Sequence, residues 1–175
     1  MSKRDYIDFQ SRSDPLAYLI TFRTYGTWLH GEPRGSVDRR HYNRYGTPDM
    51  PPNSKVLAEE KAELETEPFT LNQVQRLTVE AAIKEVCEHR QYQLHAVNAR
   101  TNHVHSVVSG RSKPENIMNA FKAYATRKLR ASGLLNSDTK PWGRHGSNPY
   151  LWTEDDVAQA IDYVINGQGD EPFRG

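Results

Sequence analysis

A chain of 175 residues can form one domain with a sizeable core, and 36% hydrophobic with 26% charged side chains is a globular composition, not a disordered one. No apolar run approaches the roughly 18 residues of a membrane helix, and the polar start Met1–Asp14 lacks the apolar stretch of a secretory signal. A single cysteine, Cys87, excludes an internal disulfide and fits a reducing cytoplasm, and a net charge of +1 excludes an overall polycation.

The charge is segregated along the chain. Leu57–Pro68 holds Glu59, Glu60, Glu63, Glu65 and Glu67 against Lys61 alone. Arg34–Arg44 carries four arginines against Asp38, and Arg111–His145 carries eight lysines and arginines against Glu115 and Asp138. Local basic segments on a near-neutral chain suit a confined polyanion site, although a solvated charged face has the same composition.

Residues 1–15 are expected to be a flexible tail on a single domain spanning 1–175. Tyr18–Thr24 (YLITFRT) is rich in β-formers and predicts a strand. Tyr25–Ser54 is a long Gly/Pro/Arg stretch without periodicity and predicts a functional loop. Val74, Leu77, Ala81, Val86 and Cys87 lie near helical spacing, which predicts a helix over Asn72–Arg90 with Cys87 in its core. Tyr92–Val97 and His103–Val108 predict two strands joined by a turn at Ala99–Thr101. Pro114–Ser132 predicts a helix, with Pro114 in its first turn, Ile117, Phe121, Tyr124 and Leu129 along it and Gly133 after it. Pro141–Pro149, with Gly143 and Gly146, reads as loop, and Tyr150–Trp152 as a short strand. Thr153 predicts the N-cap of a last helix that ends at Gly167. The order β-α-β-β-α-(β)-α predicts an α+β, ferredoxin-like antiparallel sheet with helices packed on it.

Asn102-His103-Val104-His105 carries the chemistry. On a strand, residues i and i+2 share a face, with Cβ atoms roughly 6–7 Å apart. Two imidazoles there can converge on one divalent ion, and oxygen ligands completing the shell suit Mg²⁺ or Mn²⁺. The same pair also fits a half-exposed strand face with no ligand. A hairpin centred at Arg100 would place His95 opposite His105, where it could orient a ligand.

The segment LHAVNARTNHVHSVVSG resembles the metal-binding strand pair of the single-tyrosine HUH (His-hydrophobe-His) transposases, the small insertion-sequence enzymes and their REP-associated relatives. TFRTYGTWLHGEPRG resembles the first strand and following loop of a subgroup of them, and YLWTEDDVAQAIDYVINGQG their C-terminal segment. The resemblance spans residues 18–169 and rests on three pieces arriving in order. It implies a ferredoxin-like catalytic domain with the HUH motif on a central strand. In such a domain two histidines and a side-chain amide hold a divalent metal, and a tyrosine forms a 5′-phosphotyrosine link while freeing a 3′-OH.

Two tyrosines fit that role. Tyr163, in IDYVINGQ, takes the place of the family's C-terminal nucleophile, while Tyr124, with Lys128 one turn later, resembles the arrangement of rolling-circle replication proteins. The family pattern implies an amide ligand four residues after the tyrosine, where this chain has Gly167. Gln168 and Asn166 are the alternatives, with Gln168 preferred for its longer reach.

Lys122, Arg127, Lys128 and Arg130 on the Pro114–Ser132 helix are expected to bind phosphate backbone, joined by Arg34 and by Trp28 in the long loop. Trp142 and Trp152 can likewise stack on bases or close the core. Single-stranded or hairpin DNA is the implied partner, in the cytoplasm and on the nucleoid, without a membrane. A homodimer and a monomer are both compatible with the sequence. Two other functions share these features: a DNA-binding regulatory relative that has lost catalysis, and an HxH metal hydrolase without a tyrosine intermediate.

Overall fold

Strand β1 (Ala17–Thr24) is the hub of the sheet, because an eight-residue run of β-branched, aromatic and aliphatic side chains can be buried on both faces. The computed structural model describes residues 14–27 and 67–167. After β1 come α1 (Gln73–Arg90), β2 (Gln93–Ala99), β3 (His103–Ser109), α2 (Pro114–Ala131), β4 (Trp142–Ser147), β5 (Tyr150–Leu151) and α3 (Glu154–Asn166). The strands lie in the order β2-β3-β1-β4, all pairs antiparallel, with β5 beside the start of β1. With β3 inserted between β1 and β2, this is the ferredoxin-like arrangement the sequence predicts.

Local signals account for the helix ends. Asn72 and Gln75 form a capping box at the start of α1, and Thr153 and Asp156 form another at the start of α3. Pro114 occupies the first turn of α2, where its missing N–H costs nothing.

Alternation along β3 sends Val104 and Val108 to one face of the sheet and His103, His105 and Val107 to the other. The first face forms the larger core, where Ile20, Phe22, Val104 and Val108 pack on Val79, Ile83 and Val86 of α1 and Ile117, Phe121 and Leu129 of α2. On the second face Leu19, Ala96 and Val107 pack on Leu151 and on Ala160 and Val164 of α3. The buried side of α1 differs from the expected one: Val74 and Leu77 are exposed, while Val79, Ala82, Ile83, Val86 and Cys87 are buried. Cys87 is a core residue, its thiol pushed up to about 12 by burial.

Strand β4 overturns the loop expected at 141–149. Its sequence WGRHGS shows no alternation, and its glycines read as breakers. Gly146 is instead required by close packing, since a Cβ there would collide with the Thr21 carbonyl oxygen and lie 2.7 Å from Met118 Sδ. No described helix is long and apolar enough to cross a membrane. Residues 1–13 of the expected tail and 28–54 of the expected long loop lie outside the described residues.

Gly146→Ala is expected to lower unfolding free energy by about 1–3 kcal/mol, the usual cost of overpacking, as read from the urea midpoint. A change within about 0.5 kcal/mol, typical of a neutral surface site, would show that the β1–β4 contact yields freely.

Candidate active site around the histidine pair

His103 and His105 stand side by side on the α3 face of β3. Their ring centroids are 4.8 Å apart and the ring planes are nearly perpendicular. They are only 3% and 2% exposed. His103 Nδ1 lies 2.7 Å from Asn102 Oδ1. An amide oxygen only accepts, so Nδ1 carries a proton, and in the neutral ring Nε2 is the acceptor nitrogen. Asn102 is itself fixed, its carbonyl accepting from Thr24 N at 2.9 Å, Thr24 Oγ1 at 3.1 Å and Thr27 Oγ1 at 3.3 Å.

His105 differs: neither ring nitrogen has a hydrogen-bond partner. A buried unpartnered polar group costs about 1–3 kcal/mol, so each such group needs an explanation. Burial, followed by the charges of His103, Arg100 and Arg23, pushes its pKa down to about 3. The ring is therefore neutral at physiological pH, the form in which imidazole binds a metal.

Helix α3 lies across this face. The Tyr163 ring meets His105 edge-on, with centroids 5.1 Å apart. In register, Thr21 and Asn98 flank His105, and Arg23 stands beside His103. Arg23 and Arg100 were not singled out in the sequence. Their signal is the strand register, which places Arg23 across from His103 and is invisible until β1 and β3 are paired.

Several expected residues sit elsewhere. Tyr124 packs against the α1/α2 core, on the opposite face of the sheet, with the guanidinium carbons of Arg127 and Arg90 at 4.9 and 6.0 Å from its ring centre. The sheet lies between it and the histidine pair. The α2 cations share that far side and are engaged within the protein. Lys122 donates to the carbonyls of Gly143 at 3.0 Å and His145 at 3.2 Å, Lys128 pairs with Glu85 at 2.5 Å, and Arg130 donates to the carbonyls of Ser137 and Thr139. Trp142 closes the core, its Nε1 donating to the Lys122 carbonyl at 3.1 Å and to Thr126 Oγ1 at 3.0 Å. Trp152 is 41% exposed.

The expected pairing of His95 with His105 is corrected. Asn98 faces His105, because the hairpin turns after Ala99; the bulge between Leu94 and Ala96 lies farther from the turn. His95 instead meets Ser109 Oγ at 2.8 Å. Asn166 is exposed and donates to Asp162 Oδ1 at 2.8 Å. Gln168, Trp28 and Arg34 lie outside the described residues. Among the described residues no group of three His, Cys, Asp or Glu side chains is placed to hold a metal. From the described residues, the two histidines would be completed by amides, water or substrate oxygens. The neutral, unpartnered nitrogens of His105 beside the acceptor nitrogen of His103 fit a divalent ion completed in that way.

The sequence model described as "Transposase IS200 like" matches residues 66–158. The chain belongs to the IS200-like transposase family. That match runs from before α1 into α3 and includes both histidines. Two solved structures resemble this transposase-family chain. A REP-associated tyrosine transposase bound to a REP hairpin is 14% identical, with 87% of this chain and 67% of that one covered and a TM-score of 0.46. A structure from Deinococcus radiodurans R1, provisionally named a transposase, is 13% identical, with 89% and 92% covered and a TM-score of 0.43. Among curated proteins none matches the chain.

The buried neutral ring of His105 sets a pH dependence. Below about pH 6.5 the unfolded chain takes up a proton at this residue, whereas the native chain does not until about pH 3. Its contribution is thus fully present above pH 6.5 and is lost as the pH falls toward 3. In metal-free protein, lowering the pH from about 7.5 to 4.5 should cost the parent about 2–3 kcal/mol more unfolding free energy than His105→Gln. Urea titrations at both pH values measure this, and equal losses would show that the native ring protonates freely.

Proposed function

We propose that this transposase-family chain is a metal-dependent enzyme that nicks and rejoins single-stranded or hairpin DNA, with Tyr163 as the nucleophile. The observation that supports this is the phenol ring of Tyr163 packed on His105, on the sheet face that also carries His103, Arg23 and Arg100. His103 and His105, with an amide from Gln168 or Asn166, would hold Mg²⁺ or Mn²⁺. A divalent ion bound there supplies Lewis-acid polarisation of the scissile phosphate.

The chain's own groups do the rest. Arg23 and Arg100 give the pocket positive charge, which favours a phosphodiester over bulk solvent. A phenol has a pKa near 10, and nearby positive charge favours its ionised form. The Tyr163 oxygen attacks phosphorus and the P–O3′ bond breaks. The phenolic proton is lost and the departing O3′ gains one, leaving a 5′-phosphotyrosine and a free 3′-OH. Attack by a 3′-OH on that phosphorus then restores the diester and returns the tyrosine. Phosphate contacts at the site are assigned to Arg23 and Arg100, which lie near the histidines, whereas the α2 cations share the opposite side of the sheet.

End-labelled single-stranded DNA run on denaturing gels with and without protease tests this. The parent should give a protease-sensitive adduct in Mn²⁺ and none in EDTA. Tyr163→Phe should lose the adduct entirely and keep its fold, while Tyr124→Phe should retain it. DNA binding without an adduct would instead favour a regulatory relative, and free 5′-phosphate ends a hydrolase.

Asn102→Ala should weaken Mn²⁺ binding by about 10- to 100-fold, the usual effect of removing the group that orients a ligating histidine. Calorimetric titration without DNA measures this. Undiminished affinity would mean that the Asn102 contact does not set the His103 tautomer for a metal.

A further inference from the structure

Helix α3 is well capped at one end and lightly held at the other. Its N-terminus has the Thr153–Asp156 capping box and three acids, Glu154, Asp155 and Asp156, which favour the positive end of the helix dipole. Its last turn has no basic residue, and at 13 residues its length is marginal for an isolated helix. Ala160 and Val164 are its buried residues, while Ile165 is 58% exposed. Tyr163 sits in this lightly held last turn.

Donors for that turn come from another element. Asn98 Nδ2 donates to the Val164 carbonyl at 2.9 Å, and the Arg100 guanidinium donates to the Gly167 carbonyl. Carbonyls of a last helical turn lack intrahelical partners, and a cation there opposes the negative end of the dipole. The same short stretch also holds the histidine strand: Asn98 is paired with His105, and Arg100 N donates to the His103 carbonyl at 2.7 Å. Asn98 and Arg100 thus touch the tyrosine helix through their side chains and the histidine strand through their backbone.

We propose that Asn98 and Arg100 are positioning residues, a latch that ties the C-terminal turn of α3 to the end of β2 and holds the Tyr163 phenol over the histidine pair. The catalytic part of this role rests on Tyr163 being the nucleophile; the latch itself does not. A main-chain carbonyl is the acceptor in both contacts, so substitutions within α3 cannot substitute for the loss of either donor.

Hydrogen–deuterium exchange of the full chain, followed in peptides spanning 160–167, reads the latch directly. Asn98→Ala and Arg100→Met should each speed exchange there by roughly five- to tenfold, the effect of one net hydrogen bond, with α1 and β3 peptides unchanged. Arg100→Lys keeps the charge and a donor, and should retain most of the protection that Arg100→Met loses. In single-turnover cleavage, Asn98→Ala should slow adduct formation by a similar factor at an unchanged half-saturating DNA concentration. Unchanged exchange at α3 in Asn98→Ala, or equal protection in Arg100→Lys and Arg100→Met, overturns the corresponding half of the latch. Faster exchange with an undiminished adduct rate overturns the positioning role. A parent that forms no adduct defeats the nucleophile assignment, and the exchange rates then decide the latch alone.

Discussion

Burial of β3 on both faces is the constraint from which the site follows. Six of its seven residues are buried, and strict alternation divides them between two cores. A shift of one residue in its register would send His103 and His105 into the α1/α2 core and Val104 and Val108 under α3. Pairing with β1 on one side and β2 on the other prevents that slip. The protein can therefore keep an imidazole with no hydrogen-bond partner at its centre, a group that any looser strand would rotate toward water.

The two faces are unequal in a way that suits their roles. Two helices of 18 residues each cover one face and bury Phe22, Phe121, Ile83, Ile117 and Leu129. A single 13-residue helix with two buried residues covers the other. Apolar burial of roughly 25 cal/mol per Å² concentrates stability on the first face. The second face, with fewer buried contacts, is the one whose local opening costs least. The histidines lie at the join, held because β3 belongs to both cores, under the face whose cover has fewer buried contacts.

Electrostatics follows the same division. Three basic residues of the 111–145 segment are engaged on the far side, Lys122 by carbonyls of β4, Lys128 by Glu85 and Arg127 by the Tyr124 ring. Besides His103, the positive field at His105 comes from Arg100, just after β2, and Arg23 on β1, 77 positions apart in sequence. A near-neutral chain thereby places positive charge beside the buried histidines.

The sequence alone determined the elements that depend on local physics. Helical spacing, Pro114, Thr153 and Gly167 marked α2 and α3, and the period of two in His103-Val104-His105 put both histidines on one strand face. The resemblance of that segment pointed to the family, and that of the C-terminal segment pointed to Tyr163. What depends on pairing between distant segments was decided only by the tertiary structure. The turn after Ala99 put Asn98, and not His95, opposite His105, because hairpin register depends on the position and length of the turn. Strand β4 was hidden by glycines whose purpose, close approach to Thr21 and Met118, exists only in the packed sheet. The side of the sheet on which each helix lands removed Tyr124 from the site and left Tyr163 there. A helix carries its amphipathic period in its own residues, but the face it will cover is set by the strands it packs against.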